Sequence, residues 1–438
     1  MNIHTDEFRT LSKKLRIGLV GITATLLGLL SFSCAPATGL FYLVENETKV
    51  FNDDHGLPKS SLIAGVLTST TNNSYYAIGS KIYVANIPAS SAFSPNAANR
   101  NAEQNRSPIT NWAKLGNPNE NSSLVSAVVN GSDVYGVFVA NATGGATGLY
   151  KANSVTNGNA GSSSWTQVAT TGIPAAASLT TVFITGTKLL VQTSEASPPS
   201  NGQQTYGRVY HLYQTGIPTT SFAEVVPNGG VDEKTYQPFV AAAFDGTQAL
   251  LLKRNQLYSC DLNPSPTLST IALAGLPAGV YDPSYSCITV NGTNVYIGSK
   301  KGFVMYKIGV AAWQASGVSK STSGAYDITS IEFVHVIDAA DTSHTIDKLI
   351  VGTALNGLLS VNTGTDYSLS TFQTADGYSG SYIGTNLYKG GITQVAVSTD
   401  FYQVFVSTAS HGLYSSIFDG TASTTDQPRS PGLQWTSE

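Results

Sequence analysis

The chain has 438 residues, 11% of them charged and 41% apolar or aromatic, with a formal net charge of −4. Charges are far scarcer than the ~25% of an ordinary soluble protein, and no Lys/Arg cluster offers the counterion-displacing surface that nucleic-acid binding needs. The apolar residues recur in strand-sized runs, which excludes a disordered chain.

The first residues read as a targeting segment. Arg9, Lys13, Lys14 and Arg16 form a basic region, and residues 17–30 then run fourteen positions without a charge. That length suits the apolar stretch of a signal peptide and is short for a membrane span. Ser31, Phe32 and Ser33 follow, and then Cys34. This arrangement resembles the lipobox of bacterial lipoproteins, with Leu30 four residues before the cysteine, a looser box of the kind found in spirochaetes. The resemblance implies that Cys34 is acylated and becomes the new N-terminus, so that the chain is held to a membrane of the cell envelope by its lipid. The alternative is an ordinary signal peptide cleaved near Ala35 or Ala37. Removing residues 1–33 leaves 19 Lys+Arg against 25 Asp+Glu. The expected division is a signal peptide at 1–33, a lipidated N-terminus with closing strands at 34–58, and the folded body at 59–438.

Within the body one hairpin pattern returns. It reads Ala127-Val128-Val129-Asn130-Gly131-Ser132-Asp133-Val134-Tyr135, and recurs around Thr185-Gly186, Asp245-Gly246 and Asn291-Gly292. Asn-Gly and Asp-Gly between apolar runs signal tight hairpins, here expected as type I′ turns. The glycines stand 55, 60 and 46 residues apart, a spacing that fits one four-stranded repeat with its loops. A third strand follows each hairpin, as at Gly148-Leu149-Tyr150, Gln256-Leu257-Tyr258, Gly357-Leu358-Leu359 and Gly412-Leu413-Tyr414. The fourth strand often carries Trp, and Trp112, Trp165, Trp313 and Trp435 all fall there.

Seven first strands can be counted, beginning near Leu62, Leu124, Leu179, Val240, Cys287, Ile328 and Ile392. The sequence therefore predicts an all-β chain folded as a seven-bladed β-propeller. Residues 39–52 are expected to pair with a terminal blade and cover an open edge. An eighth, partial blade is the alternative use of those residues, and two tandem β-sandwiches are the alternative fold. Cys260 and Cys287 lie in predicted strands of neighbouring repeats. Export permits a disulfide between them, and two separate buried thiols are the simpler reading.

The third and fourth strands resemble the hairpin of Asp-box propellers, the group of sialidases and sortilin-like receptors. The likeness is clearest from Gly148 to Trp165 and from Gly412 to Trp435. The Ser-x-Asp-x-Gly-x-x-Trp box itself is absent from every repeat, so the resemblance implies architecture and not activity. Sialidase chemistry needs three arginines around a carboxylate, and the five arginines beyond residue 34 do not supply the family motif. No catalytic, metal or cofactor motif appears elsewhere. Asn52-Asp53-Asp54-His55 holds residue types that can ligate a metal ion, and its simpler reading is a solvated turn after a strand.

One constellation points to binding. The connections before the first strands carry Tyr236, Tyr281, Asp282, Tyr285, Tyr326, Asp327, Tyr378 and Tyr388. Tyrosine gives a rigid amphipathic contact at low entropy cost, which suits a protein or glycan partner. The competing reading is that these rings pack between blades. The function expected from the sequence is thus a non-enzymatic envelope lipoprotein presenting a propeller face, with a carbohydrate-active enzyme or an outer-membrane assembly scaffold as alternatives.

Overall fold

A computed structural model describes residues 57, 63–69, 74–86, 112–196, 208–219, 221–227, 237–317, 327–337, 345–355, 357–362, 373–374, 391–397, 403–409, 412–417 and 436–437. All of them lie in the unit formed by residues 54–438.

Seven sheets follow one another along the chain. Blade 1 holds β1 (Ile63–Ser69), β2 (Ser74–Gly79), β3 (Ile82–Asn86) and β4 (Ala113–Leu115). Blade 2 holds β5 (Ser122–Asn130), β6 (Asp133–Ala140), β7 (Gly148–Ala152) and β8 (Trp165–Gln167). Blade 3 holds β9 (Ser178–Thr185), β10 (Lys188–Ala196), β11 (Arg208–Gly216) and β12 (Ala223–Glu224). The short strand β13 (Val226–Pro227) then leads into blade 4, with β14 (Phe239–Phe244), β15 (Ala249–Lys253), β16 (Leu257–Cys260) and β17 (Thr267–Ile271). Blade 5 holds β18 (Tyr285–Asn291), β19 (Asn294–Ser299), β20 (Phe303–Lys307) and β21 (Gln314–Gly317). Blade 6 holds β22 (Ile328–Ile337), β23 (Thr345–Thr353), β24 (Leu358–Asn362) and β25 (Gln373–Thr374). Blade 7 holds β26 (Ile392–Val397), β27 (Gln403–Thr408), β28 (Gly412–Ile417) and β29 (Thr436–Ser437).

The four strands of each blade form an antiparallel meander of consecutive strands. The first strand of every blade touches the first strand of the next, and β26 touches β1. Seven sheets in a closed ring around their first strands are a seven-bladed β-propeller, with no place for an eighth blade. All four described strands of blade 7 come from residues 392–437. The expected closing role of residues 39–52 falls outside the described residues.

The core lies between blades. Both faces of a blade pack against neighbours, so its second strand is apolar on both sides and reads as a continuous run instead of an alternation. In β15, Ala249, Leu250, Leu251 and Leu252 are all at most 2% exposed. Burying each leucine contributes about 1.5–3 kcal/mol. Leu190 and Leu251 join the cluster between blades 3 and 4, and Leu252 and Ile297 the one between blades 4 and 5. Tyr75 of blade 1 meets Phe405 of blade 7 edge-on, with ring centroids 4.2 Å apart, inside the cluster that joins the two ends of the chain.

Every first strand carries an irregularity near its start. The pairing with the second strand skips Ala64, Val125, Thr180, Val240, Ser286, Thr329 and Thr393. Such a bulge increases the twist of the strand and frees polar groups to reach the next blade. Ser286 Oγ donates to Ile328 O at 2.6 Å, and Thr329 Oγ1 to Ile392 O at 2.6 Å. The Val182 and Val395 N–H groups donate to Ser126 Oγ and Ser330 Oγ of the preceding blades. At the junction of blades 7 and 1 the bulged Thr393 instead donates to Ser407 O within its own blade, and it is Ser407 Oγ, on the second strand, that donates to Ile63 O. Blade 4 gains a fifth strand: β13 pairs in parallel with β17, so the connection leaving blade 3 extends the outer edge of blade 4. Pro227 is tolerated there because an edge strand can leave its outward side unpaired.

Two expectations need correction or refinement. The hairpins of blades 2, 3 and 5 have two-residue loops beginning at Gly131, Gly186 and Gly292, closed by Asn130–Asp133, Thr185–Lys188 and Asn291–Asn294. Among those loop residues only the glycines have positive φ, at 57–60°. The turns thus carry the type II′ signature, with glycine at the first central position, and not type I′. Asn130 and Asn291 are strand residues. The two cysteines are free thiols in different junctions, Cys260 between blades 3 and 4 and Cys287 against the cluster of blades 5 and 6. Burial pushes each thiol up to about 12, which keeps both unreactive at neutral pH.

Candidate binding face

The meander order puts two sets of connections at each end of the blades. The links between blades and those between second and third strands share the end where the first strands begin, here called the upper face. The hairpins between first and second strands and between third and fourth strands share the lower face.

On the upper face, residues 281–285 connect blades 4 and 5 and are fixed by hydrogen bonds. Asp282 Oδ1 accepts the Ser284 N–H at 3.0 Å, and Asp282 Oδ2 accepts Arg254 Nη2 at 3.0 Å. The backbone bond from Ser284, followed by the Arg254 charge, holds the Asp282 carboxyl below its ordinary value. Ser284 sits at φ 47°, a left-handed conformation uncommon for serine. Its carbonyl accepts the Lys300 N–H of blade 5 at 3.0 Å, and the Tyr285 N–H donates to Arg254 O of blade 4 at 2.7 Å. The loop is thereby tied to both blades. The Arg254–Asp282 ion pair is more than half exposed on each side, so it orients the loop more than it stabilises it.

The structure separates the residues singled out from the sequence. Tyr281 projects from this loop with its side chain 97% exposed. Tyr285, four residues later, is 2% exposed and packs against Phe303 at 6.4 Å between blades 4 and 5. It occupies the inter-blade packing role, and a partner on the face does not reach it. Asp327 lies at the start of blade 6, where its carbonyl accepts the Ala354 N–H at 2.8 Å. Its Oδ1 is enclosed without a partner among the described residues. Tyr236, Tyr326, Tyr378, Tyr388 and Cys34 fall outside the described residues, as does the 52–55 turn. Leu276 and Leu355 are further exposed apolar residues of this face, at 36% and 77%.

One residue with chemical potential escaped the sequence reading. Aligning the blades on their bulges places Leu67, Val128, Phe183, Ala243, Thr289, Glu332 and Ala396 at one level of the inner ring. Glu332 is the sole ionisable residue in that set. It is partly buried, it accepts a long contact from Thr289 Oγ1 at 3.4 Å, and desolvation pushes its carboxyl up to about 7. The available signal was an acid inside an apolar first strand, Ile331-Glu332-Phe333. Among the described residues, no three His, Cys, Asp or Glu side chains converge as a metal site would require.

No family model matches the chain, and no curated protein matches it. Among solved structures, it is similar to an extracellular domain assigned to the hybrid two-component system BT4673 of B. thetaiotaomicron. That match has a TM-score of 0.49 and 12% identity, and covers 81% of this chain and 38% of the other. A second structure of that extracellular domain, described as part of a one-component system, gives a TM-score of 0.48 and 13% identity with the same coverage. The computationally designed Ika8 protein gives a TM-score of 0.43 and 10% identity over 82% of this chain and 96% of its own. The chain thus spans 38% of the length of the two extracellular domains it matches.

Proposed function

We propose that this chain is a non-enzymatic lipoprotein of the bacterial cell envelope, held by an acyl anchor on Cys34, whose propeller presents its upper face to a protein or glycan partner. The observation that carries the reading is Tyr281. A large aromatic side chain stands 97% exposed on a loop fixed to two blades. Holding such a ring in water buries nothing in the free protein, and a pre-ordered aromatic contact is what a recognition surface gains from rigidity. The envelope location rests on the basic segment, apolar run and cysteine of residues 9–34.

The test pairs two variants of the full-length chain. Cys34→Ala protein should no longer partition into detergent, and continued acylation would remove the anchor from the account. Tyr281→Ser should abolish capture of the partner recovered by wild-type protein from envelope extracts, while its melting point stays unchanged. Equal capture by the variant would remove the upper face from the account.

A second reading, a carbohydrate-active enzyme, is favoured by Glu332, since a carboxyl that titrates near neutrality suits proton transfer to a leaving group. It requires glycoside hydrolysis by wild-type protein that is lost in Glu332→Gln.

A further inference from the structure

The lower face carries a pocket at the junction of blades 3 and 4. It has a volume of about 590 Å³ and is lined by Gly186, Thr187, Lys188, Phe244, Thr247, Gln248, Asp261, Leu262 and Asn263. The space is open to solvent along one side, a shallow groove and not an enclosed cavity. Three separate segments build it: the hairpin of blade 3, the first hairpin of blade 4, and the link between the third and fourth strands of blade 4.

Its polar groups are ordered in advance. Asp245 accepts the N–H groups of Thr247 and Gln248, each at 2.9 Å, together with Thr247 Oγ1 at 2.8 Å. Asp261 accepts the Thr267 N–H at 2.7 Å and Asn263 Nδ2 at 3.0 Å. These bonds hold both carboxyls below their ordinary value against the opposing effect of burial. Gln214 of blade 3 donates from Nε2 to Asn263 O at 2.8 Å, pinning the far wall, and its own Oε1 is enclosed without a partner among the described residues.

The apolar element is a single ring. Phe244 remains 36% exposed although it ends a first strand. It lies against the turn at Gly186, where a Cβ would meet the ring at 3.0–3.2 Å. Glycine at 186, at φ 57°, thus serves both the turn and the seat of the ring.

From this geometry we infer that the junction pocket binds a neutral saccharide unit. The lining holds one cation, Lys188, and one anion, Asp261, so it selects neither sign of charge. Around one exposed aromatic face it sets two hydroxyls, two carboxamides and a carboxylate. A pyranose matches that pattern, with a C–H face for the ring and a rim of hydroxyls that both donate and accept. A phosphate would meet a lone lysine beside an aspartate, and a purely apolar ligand would strand the polar rim. The site lies on the face opposite Tyr281, so it stands or falls separately from the upper-face reading.

The experiment applies the full-length chain to an array of neutral and acidic glycans, with Phe244→Ala, Thr247→Trp and Tyr281→Ser run alongside. Thr247 is exposed on its turn, so a tryptophan there blocks the mouth without entering the core. Saturable binding of neutral glycans is expected, weakened at least tenfold by Phe244→Ala and by Thr247→Trp, and unaffected by Tyr281→Ser. Should Phe244→Ala fail to fold, Thr247→Trp alone decides. No glycan bound by wild-type protein overturns the inference. So does binding that survives Thr247→Trp, and so does binding lost in Tyr281→Ser alone, which would put the sugar on the upper face.

Discussion

Replacing Glu332 with Gln should stabilise the propeller at alkaline pH and leave it nearly unchanged at acid pH. The carboxyl moves from an ordinary 4.5 to about 7 in the folded chain, chiefly through desolvation. The folded state therefore holds this proton more tightly than the unfolded state does. Below about pH 4.5 the group is neutral in both states and costs nothing. As pH rises to about 7 the unfolded chain ionises first and stability falls; above 7 the loss is complete. At about 1.36 kcal/mol per tenfold change, the difference amounts to about 3 kcal/mol. That is a ceiling, because Glu332 keeps partial access to water and a fully enclosed carboxylate would suffer more. Among the described residues, Cys287 is a titratable group close to it; it stays protonated throughout, its thiol being pushed to about 12. Gln conserves shape and the acceptor for Thr289 Oγ1. Unfolding a body of roughly 400 residues releases on the order of 0.8 kcal/mol per kelvin, so the variant should melt up to ~4 °C higher at pH 8. Parallel thermal melts at pH 4 and pH 8 measure the effect. A Glu332→Gln advantage that is the same at both pH values would refute the reasoning, since simple repacking has no pH dependence.

Further perturbations probe the packing between blades. Gly352→Ala places a Cβ 2.5 Å from Ile392 Cγ2 and 3.1 Å from Ile392 Cβ; a β-branched neighbour yields poorly, so chemical denaturation should show a loss of ~1–3 kcal/mol. Tyr285→Ser empties a buried aromatic site and should cost ~3–5 kcal/mol, whereas the exposed Tyr281→Ser should stay within ~0.5 kcal/mol. Equal costs at the two tyrosines would show that the loop is not ordered as described.

The blade repeat was legible because it is written in local chemistry. Glycines at the first-hairpin tips of blades 2 to 5 and unbroken apolar second strands such as residues 249–252 mark the repeat without reference to neighbouring blades. The turn type was misjudged because Asn130-Gly131 looks like a two-residue loop, whereas Asn130 pairs with Asp133 and the loop begins one residue later. Tyr281 and Tyr285 share a loop and a composition yet differ in fate. Tyr285 stands where the other blades place Ile63, Leu124, Leu179, Phe239, Ile328 and Ile392, all apolar. That register was available in the sequence and argues for packing. The seven bulges were not legible, since an extra residue on one strand shows only against its partner. Nor was the pocket at Phe244, whose walls come from segments that lie up to 77 residues apart in the chain and meet only when blades 3 and 4 pack. Glu332 was visible as an acid within an apolar run, but its neighbours at that level are set by the closure of the ring.

That closure is the claim on which both faces depend, and a double-mutant cycle between Tyr75 and Phe405 tests it most directly. The two residues are 330 positions apart and meet only if blade 7 packs on blade 1. Unfolding free energies of wild-type protein, Tyr75→Leu, Phe405→Leu and the double variant give their coupling. A closed ring predicts a favourable coupling of ~0.5–1.5 kcal/mol, the range for an edge-on aromatic pair in contact. Additive losses, with coupling indistinguishable from zero, would mean that the two ends of the chain do not meet and that the propeller is not closed as described.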